Sequence, residues 1–279
     1  MLKLFSSHYI LYLLLIFILN CSSSCISNKK LIYLQNKSGD KALAADSLIH
    51  YSVPVYRLQY NDIVDVQIKT TIPEMNAIFG LGDPANRVQT NSQSLSQGAG
   101  DVYYITGYTI DQKGDVKLPF IGKVKLMGLT IEEAEQTITQ RLASYFKKLS
   151  VEDLYVKVKL GGIRFSTFGE FTRPGKYVAL QDRMTIFEAI ALSGDLTIQA
   201  KRSKVTLMRQ YPEGTRMHIL DLNDRAIIQS PYYFIQPNDQ LYVEPMKVRE
   251  FGTGVTTSQT LQILFSALSA VVLVFSLTK

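Results

Sequence analysis

The stretch from Gly107 to Leu160 constrains the fold most, because its polar/apolar spacing changes twice within a short length. Asp115-Val116-Lys117-Leu118 and Lys123-Val124-Lys125-Leu126 alternate polar with apolar, the mark of half-buried strands. Asp111-Gln112-Lys113-Gly114 precedes them with Asp first and Gly last, a β-turn composition. Then Ile131, Ala134, Ile138, Leu142, Tyr145 and Leu149 recur at steps of three and four, which predicts a helix with one apolar stripe. Thr130-Ile131-Glu132-Glu133 starts it as a capping box, in which the Thr130 hydroxyl accepts from the Glu133 amide and the Glu133 carboxylate from the Thr130 amide. Val156, Val158 and Leu160 alternate again as a closing strand. Glu132, Glu133 and Glu135 complement the positive end of the helix dipole, and Lys147 and Lys148 the negative end. That accounts for the acidic cluster as a solvated helix start without a metal or an acid/base role. A stretch built this way holds neighbours in place; it is not a reaction centre.

Other parts of the chain repeat pieces of this design. Tyr56 to Val66 and Tyr233 to Val243 both read as strand, Asn-Asp turn, strand. Leu129 to Ala134 and Met184 to Ile190 both open helices with Thr-x-x-Glu. Two related strand-turn-strand-helix units follow, at irregular spacing. Ile26 to Val55 reads as a polar linker with one apolar patch, Leu31-Ile32-Tyr33-Leu34. Pro73 to Gly100, rich in Asn, Gln, Ser and Gly, reads as a long loop between strands. Gly169 to Val178 reads as a hairpin with a Pro-Gly turn, Ile186 to Ser193 as a helix ending at Gly194, and Lys204–Met208 and Met217–Leu220 as strands. The basic group Lys201, Arg202 and Lys204 reads as a solvated face, with contact to an anionic polymer as the sharper alternative.

Composition removes several function classes. The chain has 279 residues, room for one large or two small domains, and a net charge of +6 that is scattered, so no basic patch points to nucleic acid. Its 2 cysteines, Cys21 and Cys25, both follow the N-terminal apolar segment and leave nothing for a disulfide framework or a zinc site. The 3 histidines, His8, His50 and His218, lie in a leader, a linker and a strand, so no catalytic residue, metal ligand or cofactor is assigned. Glu188 with Asp195, or Asp221 with Asp224, are the carboxylate pairs a glycan-acting enzyme would need, and nothing in the sequence brings either pair into one pocket.

The ends carry the remaining signals. Lys3 followed by the apolar run Tyr9 to Leu19 matches a secretory signal. A Cys just after such a run resembles a lipoprotein cleavage site. Ser24 before Cys25 favours Cys25 as the acylated residue, with Cys21 as the alternative. From Phe251 to Thr278 no residue is charged, which predicts a C-terminal transmembrane helix. Gln262, Ser266, Ser269 and Ser276 recur along one face of it as pore-facing or helix-packing residues. Two arrangements compete. Each Ser bonds its own preceding turn in a helix that stands alone, or several copies pack in a ring with that row inside.

Taken in order and spacing, these motifs resemble the polysaccharide biosynthesis/export family of bacterial outer-membrane lipoproteins. Residues Tyr56 to Leu160, with GYTIDQKGDVKLPFIGKVKLMGLTIEEAE at their centre, resemble its export domain. GEFTRPGKYVALQDRMTIFEAIALSGDL and FIQPNDQLYV resemble its SLBB module, a β-grasp unit, and the leader SCISNKKLIYLQ resembles the Bacteroidetes branch. The resemblance implies an α+β protein. A signal peptide at 1–24 precedes an acylated linker at 25–55, a small mixed-sheet export domain at 56–160, an SLBB domain at 161–247 and a membrane-spanning helix at 248–279. It further implies a homo-oligomeric ring that passes capsular or extracellular polysaccharide through the outer membrane. The main domains would be periplasmic, anchored through membrane lipid, with an inner-membrane co-polymerase/tyrosine kinase as partner. The competing expectation is a lipid-anchored periplasmic carbohydrate-binding β-grasp protein without a channel.

Overall fold

The computed structural model describes residues 28–37, 39–51, 53–82, 104, 106–146, 150–246, 265, 266 and 269. Within them the chain is mixed α+β, with two hydrophobic cores.

The first core contains β1 (Ile63–Thr70), α1 (Pro73–Gly82), β2 (Tyr108–Thr109), β3 (Asp115–Leu118), β4 (Gly122–Lys125), α2 (Ile131–Tyr145) and β5 (Leu154–Leu160). β1 is the middle of an antiparallel sheet in the order β2-β1-β5, with Val64 opposite Leu160 and Val66 opposite Val158. β3 and β4 form the hairpin expected from their alternation, with Val116 opposite Val124. α2 lies against β5 and buries Ala134, Ile138 and Leu142 completely. Each large apolar side chain so removed from water contributes about 1.5–3 kcal/mol. Its capping box is present: Thr130 Oγ1 accepts from the Glu133 amide at 3.2 Å, and Glu133 Oε2 from the Thr130 amide at 2.8 Å.

Three expectations change here. Tyr145, assigned to the apolar stripe by spacing, is the last residue of the helix and is 62% exposed. Glu135 is more than a solvated dipole partner, since its Oε1 accepts from the Val158 amide at 2.9 Å and ties helix to strand. Pro73 to Gly82 is a helix, α1, where a loop was expected. Pro73 stands at its first position, where a missing amide costs nothing. Phe79 is buried with its ring edge-on to Phe120 and Phe146, at 5.7 Å from each. The Asn76 amide donates to the Thr70 carbonyl and its oxygen accepts from the Thr70 amide, both at 2.7 Å, fixing the helix on β1. Leu149, Lys147 and Lys148 lie outside the described residues, as does 83–100.

The second core is built on β6 (Ile163–Gly169), β7 (Gly175–Ala179), β8 (Met184–Thr185), α3 (Ile186–Leu192), β9 (Ala200–Tyr211), β10 (Gly214–Leu220), β11 (Phe234–Ile235) and β12 (Asp239–Pro245). Its five-stranded sheet runs β10-β9-β12-β6-β7, with β12 parallel to β6 and every other pair antiparallel. The parallel pair requires a long crossover, and the chain between β6 and β12 supplies it with α3. Ile186, Ala189 and Ile190 of α3 join Ile163, Leu207 and Leu241 of the sheet in one cluster. The Thr185 box is formed as expected, with Glu188 Oε2 accepting from the Thr185 amide at 2.6 Å. Gly169 is required where β6 ends. Its φ is +86°, and a Cβ there would lie 2.2 Å from the Val243 carbonyl oxygen.

The segment read as a linker packs on this second unit. The Leu34 amide donates to the Leu222 carbonyl at 3.1 Å, and the Gln35 amide to the Asn223 carbonyl at 2.7 Å. The Arg225 amide returns a bond to Gln35 at 2.9 Å. Tyr33 meets Phe187 edge-on at 5.8 Å and donates its hydroxyl to Asp195 Oδ1 at 2.6 Å. Leu43 is buried further along. The apolar patch noted in the sequence is therefore half of a contact whose other half stands far down the chain.

Among the described residues, no helix is long and apolar enough to cross a membrane. The transmembrane helix expected at 248–279 is thus without support here. Phe265, Ser266 and Ser269 are helical, and the rest of that segment lies outside the described residues. The leader, Cys21 and Cys25 lie outside them too.

Candidate functional site

The two Asn-Asp turns recognised as copies in the sequence adopt the same local geometry. Asn61 and Asn238 both take the left-handed conformation, with φ of 70° and 65°. Asn tolerates that conformation better than most residues. In each turn the Asp carboxylate accepts from the amide of the residue three before it: Gln59 to Asp62 Oδ2, and Gln236 to Asp239 Oδ2, both 2.8 Å. The first half of the earlier copy, Tyr56 to Tyr60, is not strand as its pattern suggested. Its Leu58 amide and carbonyl bond Leu129 and Gly128 instead of a sheet neighbour.

The two turns face each other across the boundary between the cores. Asn238 Nδ2 donates to Asp62 Oδ1 at 3.2 Å, and the Tyr56 hydroxyl donates to Asp62 Oδ2 at 2.6 Å. On the other side Arg209 clamps Asp239 with two bonds, Nε to Oδ1 at 3.0 Å and Nη2 to Oδ2 at 2.7 Å. Arg209 Nη2 also donates to the Phe234 carbonyl at 2.8 Å. Asp62 and Asp239 are 2% and 0% exposed. Burial pushes the Asp62 carboxyl up to about 6, against the Tyr56 hydroxyl and the Gln59 amide, which pull it down. Burial, and then the neighbouring Asp62 charge, push the Tyr56 phenol far above its ordinary range, so it stays a donor.

The space left between the turns, bounded by Asn61, Asp62, Gly162 and Asn238, is about 10 Å³. At most one water fits such a space. The arrangement is a closed mechanical joint that sets one unit against the other, with no room for a substrate.

Arg209 was not singled out from sequence. The available signal was a lone Arg in phase with Val205 and Leu207 on an alternating strand. Such a position is buried, and a buried cation needs a carboxylate.

The carboxylates proposed as acid/base pairs have other partners. The Glu188 carboxylate accepts from the Thr185 amide and hydroxyl, and Asp195 accepts from Tyr33. Asp221 pairs with Lys37 at 2.6 Å, and Asp224 caps the turn at Ala226. His218 is stacked on Tyr232 at 3.9 Å and lies 3.1 Å from the Tyr211 hydroxyl. Burial, then Arg209 and Arg216, lower its pKa. Among the described residues, no three His, Cys, Asp or Glu side chains converge on a metal position. Of the basic group, Lys201 and Lys204 pair with Glu244, while Arg202 is buried at 7% exposed, contrary to a solvated face.

Of the expected pore-facing or helix-packing residues, Ser269 donates to the Phe265 carbonyl at 2.7 Å, the bond to its own preceding turn. Ser266 is helical and exposed, and Gln262 and Ser276 lie outside the described residues.

From His50 through β5 the sheet, α2 and one half of the joint fall in a single stretch. Residues 50–160 match the family model for polysaccharide biosynthesis/export protein, and that match supports a role in polysaccharide export.

Proposed function

We propose that this chain is an oligomeric outer-membrane component that carries capsular or extracellular polysaccharide out of the cell. The family match over residues 50–160 carries this reading. Several features accord with it. The second unit sets one helix against a mixed five-stranded sheet with a central parallel pair, the layout expected of an SLBB β-grasp module. The joint at Asp62 and Asn238 fixes that unit on the first, as a stacked ring requires. β10 is an edge strand with Met217 71% and Ile219 64% exposed, an apolar border suited to a neighbouring copy. In this reading Cys25 (or Cys21) is acylated and holds the protein at the membrane. The uncharged segment to Thr278 packs with its counterparts, the Gln262, Ser266, Ser269 and Ser276 row lying at the helix contacts or the lumen. The inner-membrane co-polymerase/tyrosine kinase delivers the polymer.

The test is a chromosomal deletion complemented with the full chain or with a chain lacking Leu261 to Lys279. Surface polysaccharide should vanish on deletion and return only with the full chain, which should run as a multimer in detergent. Unchanged surface polysaccharide in the deletion strain would refute export. Full rescue by the truncated chain would favour a carbohydrate-binding protein that conducts nothing.

A further inference from the structure

A cleft of about 610 Å³ opens where the N-terminal segment crosses the second unit. That size is within the usual range for small-ligand sites. Five cationic residues line it: Lys29, Lys30, Lys37, Lys201 and Arg202. No carboxylate is among its described lining residues. The nearby acids are already engaged, Asp221 with Lys37 at 2.6 Å and Glu244 with Lys201 and Lys204 at 3.6 and 2.5 Å. Among the described residues, Lys29 and Lys30 take part in no ion pair.

Arg202 is the decisive group. It is more than nine-tenths buried, its Nη2 donates weakly to the Leu196 carbonyl at 3.2 Å, and its guanidinium lies 5.1 Å from the centre of the Tyr33 ring. Among the described residues its Nε and Nη1 make no hydrogen bond, although the guanidinium lies close enough to Tyr33 to draw that phenol's pKa down against burial. A buried cation with unmet donors and no described counter-carboxylate is costly, and the cost is relieved by an anion. Arg209, a few residues along the same strand, has its buried carboxylate; among the described residues Arg202 has none within ion-pair distance.

The wall of the cleft is built rather than incidental. Asn223 Nδ2 donates to the carbonyls of Lys30 and Ile32 at 2.9 and 3.0 Å, which pins the segment carrying the lysines. Ser203 adds a hydroxyl and Met246 an apolar surface. A fork of guanidinium donors beside ammonium groups, a hydroxyl and an apolar patch matches a ring that bears both hydroxyls and a carboxylate.

We infer that this cleft binds an acidic sugar through its carboxylate, with Arg202 as the principal anion contact and Lys29 and Lys30 at the mouth. The unmet Arg202 donors beside Lys29 and Lys30 favour an oxyanion, while the choice of a sugar as its carrier rests on the export reading.

The test is calorimetric titration of the full chain in detergent with glucuronate, with glucose and with inorganic phosphate. Glucuronate should bind at least about tenfold tighter than glucose or phosphate, and more weakly as salt is raised. Arg202→Met, which keeps the stem's packing, should weaken glucuronate about tenfold or more. Lys30→Glu, on an exposed side chain, should do the same with an unchanged melting temperature, so the inference is tested even if Arg202→Met fails to fold. Equal binding of glucose, a preference for phosphate, no binding of glucuronate, or an unaffected Lys30→Glu chain would each overturn the inference. A deletion strain that loses surface polysaccharide, beside a chain that ignores glucuronate, would sink the cleft alone. A strain that keeps its polysaccharide, beside a chain that binds glucuronate, would sink export alone.

Discussion

The Asn238 side-chain amide donates to the Asp62 carboxylate at 3.2 Å, although the two residues are 176 positions apart. Each belongs to a turn of the same design, so the bond joins two copies of one motif back to back. The carboxylate it reaches is buried and is shifted to about 6. Because that value lies above the ordinary aspartate range, the folded protein holds the proton more tightly than the unfolded chain does. The stability associated with protonated Asp62 is full below about pH 4 and is lost as pH rises through about 6. In urea titrations, Asp62→Asn should therefore gain on the native protein between about pH 4 and pH 7, by roughly 2–3 kcal/mol. The Asn238 amide turns over to accept from the new one. A difference that stays flat with pH would show that burial does not control this group.

The opposite sign holds at the helix starts. Backbone amides of Thr130 and Thr185 hold the Glu133 and Glu188 carboxyls below their usual range, so their contribution is lost as pH falls. Thr130→Ala and Thr185→Ala should each lower stability by about 1 kcal/mol at neutral pH. Thermal melts of the single and double variants should show the two losses adding, since the boxes belong to different cores.

Arg209→Met should be far more damaging. It strands the Asp239 carboxylate, 0% exposed, with the Gln236 amide as its remaining partner among the described residues. A loss of roughly 3–5 kcal/mol is expected in chemical denaturation. Arg209→Met combined with Asp239→Leu should recover part of it, because no charge is then left buried. Recovery is the discriminating result, since a purely packing role for Arg209 would make the double variant worse.

Tyr33→Ala should release the N-terminal strap. The change removes the edge contact with Phe187, the bond to Asp195 and the ring under Arg202. Limited proteolysis should then cut between Asn28 and Tyr51 well before either core is attacked. Tyr33→Phe keeps the ring and loses the hydroxyl bond, so it should cost only about 1 kcal/mol and leave the strap resistant.

Some of this was readable from neighbours in the chain. The hairpin at Asp115 to Lys125, the two capping boxes and the two Asn-Asp turns each depend on residues within a few positions of one another. Hydrogen bonds of that reach, and the alternation of a strand beside a buried face, leave their pattern in local spacing. The helix from Pro73 escaped because it runs straight into the Asn-, Gln- and Ser-rich run that follows it, although Met75, Ala77, Ile78, Phe79 and Leu81 make its own composition apolar. Phe79 makes it a helix only where Phe120 and Phe146 offer a place to bury it.

The joint and the cleft are of the other kind. Nothing near Asp62 announces Asn238, and nothing near Tyr33 announces Arg202 or Asp195. Burial and the pairing of charges depend on which surfaces meet, and only the folded chain brings surfaces so distant in sequence together. Two Asp residues that look alike in their turns thus end differently: one clamped by a guanidinium, the other held by a phenol and an amide at a shifted pKa.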